Sequence, residues 1–141
     1  MQQVIYDSMT GNTRKLAEAI ANELGVKAVD VKAATLAPGD GVLFLGSGCY
    51  GGKPGNNMVK FIGANDLRGR RVALFSTSGG GLGMELKAME EALKGKGATV
   101  IGSYQCKGKV LMTLNLFNWG HPDAAEVAAA RKFAREMAGL K

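Results

Sequence analysis

Two short stretches, Gly41-Val42-Leu43-Phe44-Leu45-Gly46 and Arg71-Val72-Ala73-Leu74-Phe75-Ser76, carry apolar side chains at consecutive positions. Successive residues of a strand point to opposite faces, so a strand with one wet face alternates apolar and polar side chains. An unbroken apolar run fits a strand covered on both faces, an arrangement found in parallel sheets flanked by helices. The rest of the chain has the segments such a sheet requires. Gln3-Val4-Ile5-Tyr6 is a third short apolar run, Val26 to Val31 alternates, and Ala98 to Tyr104 reads as a fifth strand. Between them lie helical patterns. Arg14 to Leu24 ends at Gly25, residues 55–63 carry Val59, Phe61 and Ile62, and Met84, Leu86, Met89 and Leu93 mark a third helix. Pro122-Asp123 opens a last helix running to about Ala138, with Val127, Phe133 and Met137 as its buried candidates. Ala37-Pro38-Gly39-Asp40 is a turn.

Five strands alternating with helices predict an α/β fold: a doubly wound, five-stranded parallel sheet in the order 2-1-3-4-5, helices on both faces, built as one domain over residues 1–141. Such sheets bind ligands beyond the carboxyl ends of their strands. The loops after the first, third and fourth strands are the most unusual stretches in the chain. They are Ser8-Met9-Thr10-Gly11-Asn12-Thr13, Ser47-Gly48-Cys49-Tyr50-Gly51-Gly52-Lys53-Pro54-Gly55-Asn56, and Thr77-Ser78-Gly79-Gly80-Gly81-Leu82-Gly83. Ten of the 21 glycines lie in or beside them, where bare backbone admits a flat ligand. The first loop suits a phosphate, because amides at a helix start point one way and the helix dipole favours an anion. Nothing acidic lies between Ser8 and Lys15. A capped helix start, with Thr10 or Thr13 as N-cap, needs fewer polar groups than the four hydroxyl or amide side chains in these six residues.

Composition narrows the class of protein. No apolar run approaches the roughly 20 residues that span a bilayer, and the N-terminus lacks a signal-peptide core. Two cysteines, Cys49 and Cys106, are too few for a disulfide framework and lack metal-ligand spacing, so a cytoplasmic location and no metal site are expected. The formal charge of +6 is spread along the chain without a dense basic block. Nucleic-acid binding is therefore not expected, and attraction to acidic partners is.

The first loop resembles the FMN phosphate loop of flavodoxins, whose pattern is Thr/Ser-x-Thr-Gly-x-Thr. The likeness continues through Leu45-Gly46-Ser47 and Ala73-Leu74-Phe75 and reaches the C-terminal helix, covering nearly the whole chain in the manner of the short-chain group. It implies that Ser8, Met9, Thr10, Gly11, Asn12 and Thr13 hold the FMN phosphate. Ser47, Gly48, Cys49, Tyr50, Gly51 and Gly52 would then flank one side of the isoalloxazine. Tyr50 stands where the family sets a hydrophobic residue against the flavin, and Gly51 matches a flexible glycine whose peptide separates the two one-electron steps. Thr77, Ser78, Gly79, Gly80, Gly81 and Gly83 would line the other side.

Two departures from the family pattern stand out. The third loop has no aromatic to cover the outer flavin face, which leaves that face open or gives it to Trp119. Gly52 and Leu82 occupy positions where acidic residues are common, and Lys53 adds positive charge, so the second reduction should be easier. Cys49 reads as a small filler beside the ligand and Cys106 as a packing residue. His121 either structures the start of the last helix or relays a proton. The apolar segment 110–117 is an edge strand, a flap or a partner contact.

The function implied is a monomeric one-electron carrier working between a reductase and acceptor enzymes with acidic docking faces. No Ser/His/Asp, Cys/His or paired-carboxylate arrangement competes with it. The alternatives are a small NAD(P)H-dependent FMN or quinone reductase, and a flavodoxin-like maturation factor for ribonucleotide reductase.

Overall fold

Both unbroken apolar runs lie inside the sheet of the computed structural model, each with a hydrogen-bonded neighbour on either side. The structure describes residues 2–9, 11–50, 53–77, 83–106 and 124–139. Its strands are β1 (Gln3–Asp7), β2 (Ala28–Asp30), β3 (Leu43–Gly48), β4 (Arg71–Thr77) and β5 (Thr99–Cys106). Its helices are α1 (Asn12–Leu24), α2 (Asn56–Ala64), α3 (Met84–Gly95) and α4 (Ala124–Ala138). All four strand pairings are parallel and the order is β2-β1-β3-β4-β5, as expected.

Alternation inside the apolar runs divides the core in two. Val4, Tyr6, Phe44, Ala73 and Phe75 face one way and pack with Leu16, Ala17 and Ile20 of α1 and Ala130, Phe133 and Ala134 of α4. Ile5, Leu43, Leu45, Val72 and Leu74 face the other way, against Met58, Phe61 and Ile62 of α2 and Met89 and Leu93 of α3. Burying each large apolar side chain contributes about 1.5–3 kcal/mol, so neither face holds without its helices. Close packing sets one glycine: a Cβ on Gly46 would penetrate the ring of Phe75. Phe44 meets Phe133 edge-on, with ring centroids 6.1 Å apart. The Tyr104 hydroxyl donates to the Glu126 carbonyl at 2.9 Å and fastens the start of α4 to β5.

Several boundaries differ from the sequence expectation. β2 is short because the Lys32 N–H donates to Asp30 Oδ1 at 2.9 Å and turns the chain into a 3-10 turn over Val31–Ala33. β3, β4 and β5 run on through Gly48, Thr77 and Cys106, carrying polar residues into the ladder. On α2, Val59 is exposed and Met58 is buried in its place, since 58, 61 and 62 share one helical face. Met84 is likewise exposed, and the inward line of α3 is Glu85, Met89 and Leu93. Val127 and Met137 are half-buried, while Ala130 and Ala134 join Phe133 in the core. Among the described residues no helix is long and apolar enough to cross a membrane.

Candidate functional site

The carboxyl ends of β1, β3 and β4 meet where helices leave for opposite faces, α1 from β1 and α2 from β3. This is the crevice in which doubly wound sheets take ligands. Its floor is a tier of buried polar side chains, most of them hydrogen-bonded to another element or loop. Asp7 Oδ2 accepts from the Met58 N–H at 3.0 Å and so caps α2, whose own N-cap residue, Gly55, has no side chain to do so. Gly55 is bare of necessity, since a Cβ there would overlap the Asp7 carboxylate. Ser47 Oγ accepts from the Gly55 N–H and donates to the Gly48 carbonyl, both at 2.8 Å. Glu85 Oε1 accepts from the Ser76 hydroxyl and from Gln105 Nε2, both at 2.6 Å, while Glu85 Oε2 is buried with no hydrogen-bond partner. On the opposite face, Thr13 Oγ1 and Thr77 Oγ1 share a buried hydrogen bond of 2.7 Å that ties the start of α1 to the end of β4.

Above this floor stands the first loop. Gly11 precedes α1 at φ 89°, a left-handed conformation that glycine takes without strain, and as the N-cap residue it has no side chain with which to cap the helix. The N-cap residue is Gly11, and Thr13 lies inside the helix. Ser8 Oγ accepts from the Gly11 N–H at 3.1 Å. Gly83 opens α3 in the same left-handed way at φ 73°. In the second loop the Cys49 N–H reaches the Thr77 carbonyl at 3.1 Å, extending the β3–β4 ladder. Tyr50 and Lys53 exchange backbone hydrogen bonds of 2.8 and 3.3 Å, which fixes the backbone of Tyr50. The Tyr50 hydroxyl crosses to the first loop and accepts from the Met9 N–H at 2.9 Å. Burial pushes the Tyr50 phenol above its ordinary 10.0; the Met9 N–H opposes this, and the nearby Asp7 charge adds to it.

Ser8, Met9, Gly11, Asn12, Thr13, Ser47, Gly48, Cys49, Tyr50, Thr77 and Gly83 therefore sit at one end of the sheet. Thr10, Gly51, Gly52, Ser78, Gly79, Gly80 and Gly81 lie outside the described residues, as do Trp119, His121 and the segment 110–117. Cys49 is half-buried and Cys106 is buried, and neither is in a disulfide. Among the described residues no cluster of His, Cys, Asp or Glu is arranged to hold a metal. Asp7, Glu85 and Gln105 escaped the sequence reading. Their only signal was position: Asp7 follows an apolar strand directly, and Glu85 stands four residues before Met89 on the same helical face. A concavity of about 510 Å3 opens between Ser8, Met9, Tyr50, Lys53 and the start of α2, a size suited to a small ligand.

A flavodoxin domain model matches residues 3–118 of the chain. An uncharacterized protein of Methanocaldococcus jannaschii is 28% identical over 143 residues, covering 95% of each chain. A flavodoxin of Clostridium beijerinckii is 29% identical over 110 residues, covering 70% of this chain and 80% of that one. Among solved structures, a flavodoxin from the domain Archaea superposes with a TM-score of 0.76 at 22% identity, covering 99% of this chain and 97% of the other, a likeness of fold.

Proposed function

The chain belongs to the flavodoxin domain family, and from that membership we propose that it binds FMN and carries electrons one at a time between partner proteins. The observation that supports this best is the β1–α1 turn. It combines a left-handed Gly11 as the N-cap residue, the start of α1 and the carboxyl end of an interior strand. The amides at a helix start and the helix dipole there attract an anion, and the glycine lets a phosphate approach the backbone. Ser8, Met9, Thr10, Gly11, Asn12 and Thr13 hold the phosphate, with Thr13 acting through its backbone because its hydroxyl is buried against Thr77. Ser47, Gly48, Cys49, Tyr50, Gly51 and Gly52 border the ring system on one side, and Thr77, Ser78, Gly79, Gly80, Gly81 and Gly83 on the other. The buried Ser47 hydroxyl serves the scaffold by fixing Gly55 and Gly48.

FMN, when bound, supplies the redox chemistry by taking and releasing single electrons. The chain orients the ring, shields it from water and sets the field around it. One domain over residues 1–141 does all of this. With a formal charge of +6, the chain meets acidic faces on its partners through a transient, salt-sensitive contact. Mixing purified protein with FMN and desalting it tests the reading. A retained yellow colour in stoichiometric amount, and no NADPH oxidation until a reductase is added, is the expected result. Protein that stays colourless at high concentration overturns it.

A further inference from the structure

The geometry points to the Tyr50 hydroxyl as a direct ligand of the phosphate, a specificity-determining contact that separates a phosphorylated flavin from its unphosphorylated form. This rests on the FMN reading above and goes beyond the hydrophobic contact that the family pattern assigns to this position. Two amides of the first loop do not point into empty space. Gly11 N–H donates to Ser8 Oγ at 3.1 Å, and Met9 N–H donates to Tyr50 Oη at 2.9 Å. A hydroxyl that accepts an amide keeps its own proton to donate, and accepting polarises it toward donating more strongly. Among the described residues no acceptor takes the Tyr50 proton. Ser8, Met9 and Tyr50 line one concavity together with Lys32 and Lys53, and with the Asp7 carboxylate, which accepts from the Met58 N–H, so two hydroxyls and two cations face the space beside the first loop.

The pose of Tyr50 is built into the chain. Its backbone is held by the paired hydrogen bonds to Lys53, and its ring lies over Gly48, where an added Cβ would stand 2.6 Å from the hydroxyl oxygen. Because burial keeps the phenol protonated beyond pH 10.0, the group remains a donor throughout the neutral range.

Flavin fluorescence titrations of the full chain and its Tyr50→Phe variant, each with FMN and with riboflavin, test the assignment. Losing a hydrogen bond to a charged acceptor weakens binding by about 10- to 100-fold. FMN affinity should fall by that factor while riboflavin affinity stays within about twofold, with the melting temperature little changed. Gly48→Ala, which displaces the ring, should reproduce the FMN-selective loss. An unchanged or tighter Tyr50→Phe complex with FMN overturns the assignment, since the hydroxyl then only occupies the Met9 amide. Equal losses for both flavins overturn it too, in favour of ring contact. Wild-type protein that binds neither flavin overturns the FMN reading itself, a result distinct from the other two.

Discussion

The hydrogen bond between Thr13 and Thr77 allows a quantitative test of the site's architecture. The two residues are 1% and 5% exposed, and their hydroxyl oxygens are 2.7 Å apart. Replacing either by valine keeps the branched shape and deletes one hydroxyl, leaving the other buried without that partner. Such an orphan costs about 1–3 kcal/mol, whereas removing both partners of a buried pair is nearly neutral. The single variants Thr13→Val and Thr77→Val should therefore each lose about 1–3 kcal/mol, and the double variant about 1 kcal/mol or less. With mid-range values the coupling energy is about 3 kcal/mol, well above the error of roughly 0.5 kcal/mol expected for independent sites. Urea unfolding of the flavin-free protein, with the slope checked for constancy across the four proteins, supplies the numbers. A double variant that loses the sum of the singles refutes the pairing. So does a Thr13→Val protein of unchanged stability with weakened FMN binding, because the Thr13 hydroxyl would then serve the ligand and not the scaffold.

Gly46→Ala should lower stability by about 1–3 kcal/mol through overpacking against Phe75, read as a drop in melting temperature; a shift within error would mean the ring moves aside at little cost. Glu85→Ala strips the acceptor from both the Ser76 hydroxyl and the Gln105 amide and opens a cavity, for an expected loss of about 2–4 kcal/mol. Denaturant midpoints decide that case, and a neutral outcome would mean those donors find other acceptors. In a redox titration, the second one-electron step should lie at a less negative potential than in relatives with acidic residues at the positions of Gly52 and Leu82, since less negative charge then opposes the doubly reduced flavin. A value as low as theirs would refute the idea that the charges at positions 52 and 82 set that step.

The strand interiors and their order were legible because the signal is local. Val42 to Leu45 and Val72 to Phe75 are apolar at every position, and only burial on both faces accommodates that. Strand ends were not legible for the opposite reason. Ser47 and Thr77 read as the first residues of the second and third loops, and they remain in the ladder with side-chain partners outside it, Gly55 for Ser47 and Thr13 for Thr77. Asp7 meets the Met58 amide 51 residues away, and Thr13 meets Thr77 across 64. The same blindness placed Val59 inside, since one apolar residue beside a helical stripe looks like part of it until the neighbouring helix is in view. The glycines marked the site better than the polar residues did. Gly11 and Gly83 announce left-handed helix starts, whereas the Tyr50–Met9 contact joins two loops that no spacing rule connects.

Because the side chains of Asp7, Ser47, Ser76 and Glu85 are hydrogen-bonded within the protein beneath the crevice, its mouth takes its shape from buried groups already committed to the scaffold. On the FMN reading proposed above, a stripped protein would keep a finished receptacle, and ring-modified flavins should exchange into it without unmaking the chain. The upper residues are open to rewriting for a different voltage or a different guest, while the foundation under them tolerates almost no edit.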